Sequence, residues 1–139
     1  MIRRLLTACT MSFCTSAIAA NPAAKDLVGC WFSTGTQGQP EVAIQSINNR
    51  AEDGSFLVRF VIISAENQLA YQTEAGYWAV NGQRYLTITT SVNGETASYA
   101  DVYNLLYAGK NRLSYRKIDG DGALFQSERV PCDTKLPRK

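Results

Sequence analysis

The chain has 139 residues, with 14 Lys and Arg against 12 Asp and Glu, 45% hydrophobic residues and no histidine. Zero histidine excludes Ser-His-Asp and Cys-His catalysis and the usual zinc hydrolase sites. Two of the basic residues, Arg3 and Arg4, lie in the first segment, so residues 21–139 balance at 12 against 12. A neutral chain of this kind argues against nucleic acid or an anionic membrane surface as its main partner.

Met1 to Ala20 reads as an export signal. Arg3 and Arg4 supply the positive region, Leu5 to Ile18 is mostly apolar or small, and Ala17-Ile18-Ala19 is an Ala-x-Ala site. The stretch is too short and too rich in Thr, Ser and Cys for a good transmembrane helix, which needs about 20 mainly apolar residues. Cleavage after Ala19 or Ala20 predicts a periplasmic or secreted protein with no membrane insertion once the signal is gone; retention as an anchor is the alternative. Residues 21–139 then make one domain with a modest core.

Cys9 and Cys14 leave with the signal, so Cys30 and Cys132 remain. In an oxidising compartment this pair is expected to form a disulfide closing a loop of about 100 residues, for which chain entropy allows about 4–5 kcal/mol. Free thiols or a shared metal are the other readings, and two cysteines without histidine make a poor metal site.

Turn signals organise the rest. Asp53-Gly54, Asn81-Gly82, Asn93-Gly94, Gly109-Lys110-Asn111 and Asp119-Gly120-Asp121-Gly122 separate segments of alternating character. Phe56, Val58, Phe60 and Ile62 share one strand face; Tyr85, Thr87 and Thr89 oppose Leu86, Ile88, Thr90 and Val92. The expected strands are 28–34, 42–48, 55–64, 69–79, 84–92, 96–107, 112–118 and 123–130. Short links make sequential strands antiparallel neighbours, and a disulfide between the first and last segments implies that the sheet closes. The fold class is therefore all-β, an eight-stranded antiparallel up-and-down barrel. Only the polar Gly35–Pro40 segment has a different character, and it joins the first two strands near the mouth.

Gly29-Cys30-Trp31 at the start of the first strand, together with eight strands and a large first connection, resembles a lipocalin-like, calycin-type barrel. The resemblance implies that Trp31 closes one end and stacks against Arg129 at the end of the last strand. The chain departs from that family in having no convincing C-terminal helix and no recognisable motif between the sixth and seventh strands.

Among candidate sites, Asp119-Gly120-Asp121-Gly122 fails as a calcium loop, because the twelfth position is Val130 rather than Glu, and reads as a hairpin turn. Glu74 and Asp101 are the acids in strand middles; they read as solvent-facing residues rather than an acid–base pair, and the chain as a non-enzyme without a cofactor. Tyr99, Asp101, Tyr103 and Tyr107 share one predicted strand face, with Tyr115 nearby. They make a candidate ligand wall, a partner surface or ordinary cross-strand stacking. Arg59 and Arg116 interrupt apolar faces and are candidates for an anionic head group. The basic tail of Lys135, Arg138 and Lys139 reads as a frayed end. These features predict binding of a small, partly hydrophobic ligand in or at the mouth of the barrel. The alternative is an inhibitor or immunity-type module that meets an envelope protein through its surface.

Overall fold

The computed structural model describes residues 24–36, 42–120 and 122–138; the segment read as an export signal lies outside them, as does the rest of the Gly35–Pro40 segment after Thr36. A single turn of helix, α1 (Ala24–Leu27), precedes eight strands: β1 (Gly29–Thr36), β2 (Ala43–Arg50), β3 (Ser55–Ile63), β4 (Leu69–Asn81), β5 (Arg84–Val92), β6 (Glu95–Ala108), β7 (Arg112–Lys117) and β8 (Leu124–Arg129). Each strand is antiparallel to the next, and β8 returns to β1, so the sheet is a closed up-and-down barrel. Closure removes both sheet edges. Cys30 and Cys132 form a disulfide across 102 residues, with their Cα atoms 5.2 Å apart.

Local chemistry sets the corners. Asn93 and Gly94 both take positive φ, 52° and 81°, the conformation that a tight β5–β6 hairpin demands and that these two residues accept at least cost. The strands begin and end within two residues of the positions that alternation predicts. Three register shifts alter the alternation itself. Thr90 is an extra residue in β5, where Ala75 and Gly76 pair with Ser91 and Thr89; the β5–β6 register shifts between Thr89 and Ser91; and Leu106 is an extra residue in β6 opposite β7. A bulge puts one extra residue into a strand and so reverses the face of everything beyond it.

The core lies inside the lower barrel, where Leu27, Trp31, Phe56, Val58, Trp78, Tyr85, Leu105, Leu113 and Tyr115 pack together. The four residues of α1 escape a periodicity reading, yet they place the fully buried Leu27 under the barrel floor. A second apolar cluster forms on the outside. Arg59 Nη2 donates to the carbonyls of Cys132 at 3.0 Å and Thr134 at 3.5 Å. Gln45 exchanges two hydrogen bonds with the Arg138 backbone, and the Arg138 guanidinium pairs with Glu128 and lies over Phe32. The C-terminal segment is thus a strap across β1–β3 rather than a frayed end. Ile47 and Val61, which point outward between these tethers, are only 1% and 0% exposed.

Candidate ligand cavity

The floor of the barrel is built first. Gly29 has φ of 112°, and a Cβ there would run into the Arg129 guanidinium; glycine meets both demands, since it alone adopts that angle freely and leaves the space. Arg129 lies with its guanidinium carbon 4.2 Å from the Trp31 ring centroid. It donates Nε to the Lys110 carbonyl at 2.6 Å, Nη1 to Val28 at 2.6 Å and Nη2 to Asp26 at 3.1 Å. Trp31 Nε1 donates to the Leu27 carbonyl at 2.8 Å. Gly29, Trp31 and Arg129 therefore meet at one end of the barrel, and every polar group of the pair has a backbone partner.

Arg50 lies in the same lower part of the barrel. It is 1% exposed and donates Nε to the Tyr85 hydroxyl at 2.9 Å and Nη2 to the Tyr115 hydroxyl at 3.4 Å; its Nη1 has no hydrogen-bond partner. The guanidinium carbon is 4.9 Å from the Tyr85 ring centroid and 5.7 Å from that of Tyr115. Burial works against the charge, but the two phenols outweigh it and hold Arg50 above its ordinary pKa. Sequence reading missed this residue. The signal was present in β2, where Ser46, Asn48 and Arg50 alternate with Ile47, but an apolar-in rule assigns the faces the wrong way round.

Above this layer the inner strand faces enclose a cavity of about 100 Å³. Phe56, Val58, Phe60 and Phe125 supply apolar wall, while Tyr85, Tyr103 and Tyr115 add rings with polar tips. The aromatic members pack on one another: Tyr85 stacks on Tyr103 at 5.3 Å, Tyr115 stacks on Phe125 at 5.1 Å, and Tyr103 meets Tyr115 edge-on at 5.1 Å. Ser33, Ser46, Asn48, Thr87 and Thr89 contribute oxygens, and Glu74 and Asp101 complete the lining. Both carboxylates thus face inward, which corrects the expectation that they meet solvent. Their neighbours explain it: Thr87 and Thr89 on β5, inward and buried, pair with Asp101 and Tyr99 on β6, and Lys117 Nζ comes within 2.7 Å of Asp101 Oδ1. Glu74 accepts from Gln72 Nε2 at 2.8 Å and makes no ion pair among the described residues.

The chain matches no family model and no curated protein. The cavity is therefore described from its own residues. Of the tyrosines singled out by sequence, Tyr103 and Tyr115 line it, and Tyr99 stands inward with them but is 42% exposed. Burial, with Asp101 second, pushes the Tyr103 phenol well above its ordinary pKa. Burial also raises Tyr99, against a hydrogen bond from Thr89 that works the other way. The phenols are accordingly neutral hydrogen-bonding groups at ordinary pH.

Tyr107 does not join them. The β6 bulge turns it outward, where it is 57% exposed and rims an open depression of about 790 Å³ on the outer wall, with Phe32, Thr34, Arg112, Gln126 and Glu128. That hollow is the larger, but it is a shallow surface feature, and its Glu128 is already paired with Arg138. Arg59 and Arg116 are also outside: Arg59 holds the strap, and Arg116 donates to the Gly122 carbonyl at 2.9 Å. Neither arginine lines the cavity; both take the surface position common for an arginine. Among the described residues no group of acidic or cysteine side chains is arranged to hold a metal ion.

Proposed function

We propose that this is an exported lipocalin-like binding protein that holds a small molecule, or the end group of a longer one, inside the barrel. The observation carrying this reading is the 100 Å³ cavity with apolar walls and a polar, partly acidic lining. Ligand cavities in general run from about 300 Å³ upward, so the interior suits a few heavy atoms rather than a lipid chain. The aromatic residues have taken the rest of the volume. Export is supported by the N-terminal sequence and by the disulfide, which suits an oxidising compartment. Gly29, Trp31, Arg129 and the strand order support the lipocalin-like reading.

Binding would combine apolar burial against Phe60, Val58 and Phe125 with orientation by the polar tips. A fragment screen followed through backbone amide shifts tests it. Saturable shifts at Val58, Thr87 and Thr89 are expected, and they should vanish in Ser46→Ile, which fills the cavity. A screen that shifts only outer-wall residues would overturn the proposal.

A second reading, a module that binds an envelope protein through its surface, is favoured by the outer wall of β4–β6. There Tyr77 and Ile88 are cross-strand partners, and Tyr77, Ile88 and Val102 are 60%, 43% and 37% exposed. Capture of one specific protein from envelope extract, lost in Tyr77→Arg and kept in Ser46→Ile, would support this reading over the first.

A further inference from the structure

The cavity carries a charge pattern that narrows its ligand, on the reading that it is a binding site. Its lining holds two carboxylates, Glu74 and Asp101, and no Lys or Arg. Among the described residues the one ammonium paired with them, Lys117, sits on Asp101 Oδ1. Glu74 faces the cavity with neutral partners, the Gln72 amide on its Oε1 and the Tyr99 hydroxyl beside it. Arg50 carries a positive charge close by, but its guanidinium lies against the Tyr85 and Tyr115 rings, bonds their hydroxyl oxygens rather than either carboxylate, and does not line the cavity.

A second observation is independent of the acids. Asn48 lines the same cavity, and its Oδ1 is buried and accepts no hydrogen bond. A buried acceptor left unanswered costs about 1–3 kcal/mol, so this atom calls for a donor. Six of the other lining residues are aromatic, Phe56, Phe60, Tyr85, Tyr103, Tyr115 and Phe125, and ring faces attract cations. An unpaired carboxylate, an unanswered amide oxygen and aromatic faces around one small cavity share one complement. It is a group that is positively charged, carries several N–H donors and has little bulk.

We propose that the cavity takes a primary ammonium group on a short carbon stem, either a small amine or the aminoalkyl end of a longer molecule. Glu74 supplies the counter-charge, and Asn48 Oδ1 accepts one N–H. Asp101, shared with Lys117, tunes the potential, and Phe60, Val58 and Phe125 pack on the stem.

The test uses the full chain and titrates ethylammonium, acetate, ethanol and tetramethylammonium, read by amide shifts at Val58, Thr87 and Thr89 and by calorimetry. Ethylammonium should bind saturably, ethanol at least tenfold more weakly, and acetate and tetramethylammonium not at all. Glu74→Gln, nearly the same shape without the charge, should weaken ethylammonium at least tenfold while leaving ethanol unchanged. Glu95→Gln, an exposed site, should change neither. Glu74→Asp, which keeps the charge, should retain part of the affinity and so separates loss of charge from loss of fold. Acetate or ethanol binding in the cavity as tightly as ethylammonium would overturn the ammonium assignment and leave the binding proposal standing. Failure of every probe to enter would overturn both.

Discussion

At the closed end of the barrel Arg129 spends its three nitrogens on three backbone carbonyls and lays its plane on Trp31. A few residues further along the same interior, Asp101 holds the Lys117 ammonium while Glu74 has no ion pair among the described residues, and Asn48 keeps a buried oxygen unanswered. The same inner wall therefore contains a region where the polar atoms of the closing pair are satisfied and one where they are not. Satisfied buried groups hold a unique structure, whereas unsatisfied ones cost stability. The difference gives the floor a stabilising role and supports the proposal that the cavity binds a ligand.

The comparison can be broken at the floor first. Replacing both Cys30 and Cys132 with Ser releases a loop of 102 residues, and stability in chemical denaturation should fall by about 4–5 kcal/mol. Arg129→Met comes next. It leaves the carbonyls of Asp26, Val28 and Lys110 without their donor and uncovers the indole, for an expected loss of about 3 kcal/mol. Arg50→Met should behave differently, although Arg50 is the more deeply buried arginine. It has phenols and no carboxylate among its hydrogen-bond partners and one bare nitrogen. Replacing a poorly compensated buried charge with an apolar chain of similar volume is often neutral or stabilising, so denaturation should show a change within about 1 kcal/mol of the parent. Equal losses at the two positions would erase the distinction between floor and interior.

The outer wall sharpens the same contrast and shows what the sequence could not decide. Strand number, order and limits were legible, because turn dipeptides and period-2 alternation are local properties. Which face points inward was legible only where the inner side is apolar, as in β3 with Phe56, Val58 and Phe60. In β2 and β5 the alternation is inverted: Ser46, Asn48, Thr87 and Thr89 point in, while Ile47 and Ile88 point out. Ile47 is 1% exposed and lies between the tethers that Gln45 and Arg59 make to the strap, 93 and 73 residues away, which no local pattern announces. Ile88 is 43% exposed. Tyr107 was misplaced for another non-local reason, since the β6 bulge is defined by its pairing with β7. Two isoleucines of equal sequence merit should consequently differ in cost. Ile47→Ala should lose about 2–4 kcal/mol and Ile88→Ala less than about 0.5 kcal/mol, the usual range for a surface change.

The smallest effect expected is an alkaline one, and it belongs to the cavity end. Burial raises the Tyr85 and Tyr103 phenols above the ordinary value of 10.0, with Arg50 opposing it at Tyr85 and Asp101 adding to it at Tyr103. In the unfolded chain both groups ionise near the ordinary value, so there the unfolded state begins to release protons that the folded state keeps. The stability contributed by these groups is full below that pH and declines as pH rises through it, because the pKa is raised on folding. Ultraviolet titration of the folded protein should therefore show at least two phenols still protonated after the exposed tyrosines have ionised, with melting temperature falling as pH rises through that interval. Glu74→Gln should leave that profile largely in place, since burial is the first cause of the shift at both phenols and Glu74 is not among the causes at either. If all seven tyrosines titrated together near their ordinary value while the protein stayed folded, the aromatic interior would be open to water, and the small dry cavity would have to be given up.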